Sequence, residues 1–204
     1  MKLHAQNSGM TLTETLVGMG ITVFILAVLT AASISLQTSY AGASGYAAAE
    51  GDQMRISDYI ALDVRRAISA AAAVNAAITT TINGVSTSVT VPNLLTLTRP
   101  DFYDGGGNPN EPAFTANGAI TYGAGPLTIR YFQIGTSFYR ETSGVATAIA
   151  KNVGSFEVTD QDLTANVKCT IKFVPKFTRN GSDAAKEGTT IVSSTFLRNA
   201  VARQ

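Results

Sequence analysis

SGMTLTETLVGMGITVFILAVLTAASISL, residues 8–36, decides how the rest of the chain is read. Glu14 is the last charged side chain before Glu50, and Thr15 to Leu36 is apolar or small almost throughout. About 20 such residues cross a hydrocarbon core of roughly 30 Å at 1.5 Å rise each. No proline occurs before Pro92, and Gly18 and Gly20 are small enough to let neighbouring helices approach closely. The stretch predicts a membrane-spanning helix over 10–36. A cleaved secretory signal has a shorter apolar core, of roughly 7 to 15 residues, although Ala31-Ala32 and Ala47-Ala48-Ala49 offer small-residue cut sites. Lys2 and the amino terminus precede the span and only Arg55 follows closely, which favours a cytoplasmic N-terminus. Glu14 is the anomaly, because an acid at the centre of a membrane helix costs roughly 2.5–3.5 kcal/mol. Thr11-x-x-Glu14 also spells a capping box, in which both residues satisfy orphan amides at a helix start.

Past the small residues 39–49, the helical pattern resumes in EGDQMRISDYIALDVRRAISAAAA, residues 50–73. Ile56, Ile60, Val64 and Ile68 recur every four residues as one apolar stripe, so an amphipathic continuation of the helix is expected over 37–73. Asp52/Arg55, Arg55/Asp58 and Asp63/Arg66 stand at i,i+3 on the polar side.

Residues 74–204 supply the surface that this stripe needs. Ile78–Ile82, Asn83-Gly84 and Val85–Val89 read as a hairpin in which Ile82 faces Val85, Thr80 faces Thr87 and Ile78 faces Val89. A second hairpin runs Leu127–Ile134, Gly135-Thr136, Ser137–Thr142, pairing Phe132 with Tyr139 and Arg130 with Glu141. Strands are also expected at 153–158, 166–174 and 189–197, and in the second of these Val167, Cys169, Ile171 and Phe173 alternate with polar residues. Cys169 then points inward as a structural thiol. Asn180-Gly181-Ser182 matches a glycosylation sequon but is read as a turn. The fold class is α+β, with a long N-terminal helix whose amphipathic half packs on the apolar side of an antiparallel sheet.

Composition removes most chemistries. Only 14% of the 204 residues are charged and the net charge is +1, so no attraction to nucleic acid is implied. The single histidine, His4, lies upstream of the span, and Cys169 is the only cysteine. Triads, histidine metal helices and cysteine zinc cages are therefore excluded, and no enzymatic activity or cofactor is expected. The loop RPDFYDGGGNPNEPAF, residues 99–114, offers Asp101, Asp104, Asn108, Asn110 and Glu111 as hard oxygen donors that calcium accepts. Their spacing matches no EF-hand, the same residue types build any long turn, and a surface loop is expected. Gly105-Gly106-Gly107 lacks the lysine and helix of a phosphate-binding loop.

Gly9-Met10-Thr11-Leu12-Thr13-Glu14 ahead of an uncharged helix resembles the processing site of type IV prepilins and type II secretion pseudopilins. It differs from that family's usual pattern at Met10, where phenylalanine is common, and at Thr13, where an aliphatic residue is common. Asp63-Val64-Arg65-Arg66-Ala67, LTIRYFQIGTSFYRE, Ala150–Phe156 and Phe196-Leu197-Arg198-Asn199 resemble regions of J-type minor pseudopilins and PilW-like minor pilins. The resemblance implies a leader at 1–9, cut by prepilin peptidase between Gly9 and Met10, and N-methylation of Met10. Glu14 would then be the fifth mature residue, pairing with a neighbouring subunit's terminal amine. It further implies a single-pass protein of the bacterial inner membrane with an extracytoplasmic C-terminal domain. Its partners would be other minor and major pilins or pseudopilins, the assembly platform and the bilayer. The alternative is a signal-anchored surface protein or adhesin whose β domain binds a ligand by itself. A secreted enzyme released by ordinary signal cleavage is a third, disfavoured by the missing histidines.

Overall fold

A computed structural model describes residues 11–114, 116, 120–123, 125–159, 166–174, 176–179, 182–185 and 190–197. The chain divides into two compact units, Met1–Ser44 and Gly45–Gln204. One helix, α1 (Leu12–Arg66), contributes to both. In the first unit, every described residue up to Ala41 is exposed.

In the second unit α1 buries Ile56, Ile60, Asp63 and Val64. Three of these belong to the expected apolar stripe, but the helix stops short of the expected end. Arg65 and Arg66 occupy its last turn, where cations suit the negative end of the helix dipole. The Ala67 amide closes on the Val64 carbonyl, and the Ile68 amide donates to the Thr98 carbonyl at 2.8 Å. Residues 69–73, expected in the helix, instead begin β1 (Ser69–Ile82). Ala70–Ala73 pair with Leu97–Leu94 of β2 (Val85–Arg99). Alanine's helix propensity amounts to a few tenths of a kcal/mol per residue, and a full ladder of hydrogen bonds beside buried Leu95 and Leu97 outweighs it. The ladder passes from Val74↔Asn93 to Ala76↔Val91, with Asn75 at φ +51° opposite Pro92, which has no amide to give.

Both expected hairpins are present in the expected registers. Asn83 (φ +51°) and Gly84 (φ +81°) turn β1 into β2, with Ile82↔Val85, Thr80↔Thr87 and Ile78↔Val89 paired. β5 (Leu127–Ile134) and β6 (Ser137–Thr142) pair Phe132 with Tyr139 and Arg130 with Glu141, after β3 (Pro112–Phe114) and β4 (Ile120–Tyr122) have formed a small hairpin of their own.

Sequence reading missed the short strands β3 and β4 and also β7 (Val145–Ala150), which follows Ser143 (φ +52°) and Gly144 (φ +81°). It pairs antiparallel with β6 and, over Thr81↔Val145 and Ile82↔Ala146, parallel with β1. The order β1-β2-β5-β6-β7 therefore closes on itself, through a parallel contact that the expected antiparallel sheet did not include.

β8 (Val153–Thr159), β9 (Asn166–Phe173) and β12 (Thr190–Phe196) form a three-stranded antiparallel sheet in the order β12-β9-β8. Between the last two, β10 (Lys176–Arg179) pairs with β11 (Ser182–Ala185), while Asn180 and Gly181 of the expected turn lie outside the described residues. The β8 ladder shifts register between Val153 and Ser155. Gly154 fills that bulge, and a Cβ there would stand 2.7 Å from Val174 Cγ2.

The main core joins Ile56, Ile60, Val64 and Ala67 of the helix end to Leu95, Leu97, Ile129, Tyr131 and Phe138 of the closed sheet and to Phe156, Cys169, Ile171 and Phe173 of the three-stranded one. A second cluster, Ile78, Val91, Leu94, Phe132 and Ala146, sits on the opposite face of the closed sheet. β9 alternates as expected, with Val167, Cys169, Ile171 and Phe173 buried. Burial pushes the Cys169 thiol up to about 12, leaving almost no thiolate at neutral pH. In a timed assay with a coloured disulfide reagent at pH 7, the native chain is expected to stay unreacted while denaturant releases one thiol. Rapid reaction of the native chain would contradict the inward placement.

Candidate functional site

The expected capping box is formed. Thr11 stands as N-cap ahead of Leu12, and Glu14 is the third helical residue. The Thr11 amide donates to Glu14 Oε2 at 2.9 Å, the Thr11 hydroxyl donates to the same oxygen at 3.0 Å, and the Glu14 amide returns to Thr11 Oγ1 at 3.4 Å. These bonds hold a carboxylate over the first turn, where the helix dipole favours negative charge. Both bonds to the carboxylate fall on Oε2, and Oε1 takes none among the described residues. Gly9 and Met10, the expected processing pair, lie outside the described residues.

Beyond Glu14 the helix presents an apolar surface with nothing packed on it. Leu12, Leu16, Val17, Ile21, Phe24 and Leu29 are each more than half exposed. A window of this helix reaches a mean hydropathy of 2.3 with none of it buried, and it is the one helix among the described residues long and apolar enough to cross a membrane. Residues 12–36 extend about 37 Å at 1.5 Å per residue. Two of its hydroxyls bond back to the helix: Thr22 donates to the Gly18 carbonyl at 2.8 Å and Thr30 to the Leu26 carbonyl at 2.8 Å. Such back-bonding removes the penalty for polar groups in lipid. Glu14 is the single ionisable group left in the apolar segment.

A charged cluster at the other end of α1 escaped sequence reading. Asp63, expected on the polar face with Arg66, is 2% exposed. One turn of helix places it beside Ile60 and Val64 on the buried stripe, so its partners come from the sheet. The Tyr131 hydroxyl donates to Oδ2 at 2.6 Å, Arg140 Nε donates to Oδ2 at 2.8 Å, and Arg140 Nη2 donates to Oδ1 at 3.2 Å. Arg99 Nη1 lies 3.7 Å from Oδ1. Tyr131 and Arg140 are direct cross-strand neighbours, which brings both to the same carboxylate. The Arg140 guanidinium also lies over the Tyr59 ring at 5.5 Å. Burial, then the charge and hydrogen bond of Asp63, hold the Tyr131 hydroxyl well above the ordinary phenol range. Burial alone would pull Arg140 down, but the Asp63 bond and charge more than offset it and raise it. The legible signal was Asp63 between two stripe isoleucine and valine positions. The cluster ties helix to sheet and offers no open reacting position.

The 101–111 loop does not assemble the calcium candidates. Asp104 spends its carboxylate on the loop itself, accepting from the Gly106 amide at 2.9 Å, the Asn108 amide at 2.8 Å and Asn108 Nδ2 at 3.0 Å. Those bonds hold its carboxyl below the usual range. Asn110 Nδ2 donates to the Asp101 carbonyl at 2.7 Å. Among the described residues no three acids, histidines or cysteines gather as a metal cluster.

Compared with family models, curated proteins and solved structures, the chain matches none of them.

Proposed function

We propose that the chain is a non-enzymatic minor pilin or pseudopilin subunit that helps initiate or cap a type II secretion pseudopilus or type IV pilus. The observation carrying this reading is the fully exposed apolar helix whose only charge, Glu14, is held by Thr11 at its start. A soluble monomer rarely leaves contiguous apolar surface of this extent uncovered. A bilayer covers it first, and the apolar helices of sibling subunits cover it in a filament. Cleavage after Gly9 places a terminal amine at Met10, and a neighbour's amine is the partner that an acid in a low-dielectric setting lacks. Before assembly the chain sits in the inner membrane with its β domain outside, reached by prepilin peptidase and the assembly platform.

The test is the mass and N-terminal sequence of the mature chain: loss of residues 1–9 with a methylated Met10 supports the reading. An intact leader favours a signal-anchored surface protein instead, and a cut near Ala32 or Ala49 a secreted one. Glu14→Leu is expected to insert normally yet reduce incorporation into the filament by about tenfold, the equivalent of 1.4 kcal/mol of lost pairing. Wild-type incorporation of that variant, measured by filament immunoblot, would sink the pairing role.

A further inference from the structure

A cleft of about 600 Å³ is lined by residues of β1, β2, β5 and β6 of the closed sheet. Sites for small molecules commonly occupy roughly 300–1,000 Å³. Ile78 and Leu94 form apolar wall, Thr96 and Thr128 contribute hydroxyls, and Arg130 with Glu141 supplies the charged part of the lining.

That ion pair is asymmetric. Arg130 Nε donates to Glu141 Oε1 at 3.0 Å, and Nη2 donates to the same oxygen. Nη2 also donates to the Thr79 carbonyl at 3.3 Å, so the guanidinium is drawn toward β1. An arginine and a carboxylate usually meet as a two-pronged fork that satisfies both oxygens. Here Oε2 is enclosed, on a residue 3% exposed, and has no hydrogen-bond partner among the described residues. Buried polar atoms are rarely left this way, and an orphaned one next to a cleft points to a missing donor.

Charge decides what kind of donor. Arg130 and Glu141 are neutral as a unit. An ammonium would meet the guanidinium, and an anion would meet the carboxylate, whereas a hydroxyl brings no net charge to desolvate. We propose that this cleft binds a neutral sugar, such as the end of a glycan. One ring hydroxyl donates to Glu141 Oε2 as the carboxylate turns toward the cleft, and its neighbour accepts from Arg130. The C–H face of the ring lies against Ile78 and Leu94. Adjacent acceptor and donor groups match adjacent hydroxyls, and the threonine hydroxyls at the wall add adaptable partners. The proposal is independent of any filament, and it gives the β domain a recognition role of its own.

The test titrates the full chain, held in a detergent without a sugar headgroup, with glucose, galactose, mannose, fucose and N-acetylglucosamine, reading backbone amide shifts. At least one sugar is expected to shift Thr96, Thr128 and Gly144 saturably, with Kd on the order of 1 mM. Ethylammonium and acetate are expected to leave them unchanged. Glu141→Gln is expected to weaken the sugar about tenfold, one lost charged hydrogen bond's worth. Thr128→Tyr fills the cleft from an exposed position while leaving both members of the ion pair in place, and is expected to abolish binding. It keeps the test decisive if Glu141→Gln fails to fold. No saturable shift with any of the five sugars, a response to ethylammonium instead, or undiminished binding in Thr128→Tyr would overturn the proposal and leave a buried water as the partner of Oε2.

Discussion

Asp63→Ala is expected to lower the unfolding free energy of the β domain by about 3–5 kcal/mol, the usual cost of removing one partner from a buried ion pair. The alanine takes the shared carboxylate from the Arg140 fork and the Tyr131 hydroxyl, leaving a part-buried guanidinium without its counter-charge, and Arg99 loses the acid at 3.7 Å. Denaturant unfolding of the full chain in detergent, followed by tyrosine fluorescence, measures the loss. A change below about 1 kcal/mol, the scale of exposed pairs, would show that the cluster does not hold helix to sheet. Replacing Asp63 and Arg140 together by apolar residues should recover much of the loss, because no uncompensated charge then remains. Alkaline titration gives a second handle. Tyr131 is raised above its unfolded value near 10 by burial and by Asp63, so the folded state holds that proton more tightly. Its contribution is fully present below about pH 10 and is lost as pH rises beyond it. Tyr131→Phe is therefore expected to be less stable at pH 7 but to show a flatter fall in stability between about pH 10 and pH 12.

Phe138→Ala is expected to cost about 3–5 kcal/mol, from lost transfer energy plus an unfilled cavity. Phe138 is fully buried, meets Phe156 edge-on with ring centroids 4.8 Å apart, and lies near-parallel to Tyr131 at 6.1 Å. It thus joins the closed sheet to the three-stranded one at the place where the β6–β7 ladder shifts register. A midpoint shift without a change in slope identifies a packing loss. Phe114→Ala is the control, since that ring is 76% exposed and its removal is expected to stay within about 0.5 kcal/mol. Equal losses at both positions would mean that Phe138 packs no better than a surface ring.

Both variants probe contacts that no short window of sequence contains. The hairpins were readable because a two-residue turn sets register: Asn83-Gly84 makes Ile78 face Val89, and Gly135-Thr136 makes Phe132 face Tyr139 and Arg130 face Glu141. The capping box was readable for the same reason: Thr11 and Glu14 are three residues apart, and one helical turn brings them together. The end of α1 was misread because Ala70–Ala73 favour helix locally, while their ladder partners, Leu94–Leu97, lie on the far side of a hairpin. β7 was missed although Ser143-Gly144 is a turn dipeptide, because VATAIA is too weakly patterned to declare a strand. The 101–111 segment was read as a surface loop from its Asp, Asn, Gly and Pro content, but only the folded loop shows that Asp104 takes its donors from the loop's own amides.

Residue order alone was enough to establish an uncharged helix with a capped acid at its start, two hairpins with their registers and an inward Cys169. Each follows from periodicity or turn geometry within a few residues. Folding in three dimensions was needed to bury Asp63, close the sheet through β7 and orphan one oxygen of Glu141. Asp63 and Arg140 are 77 residues apart, and Thr81 and Val145 meet only after β2, β5 and β6 have stacked between them. A carboxylate's environment is set by what packs against it, and for these acids that surface comes from distant strands.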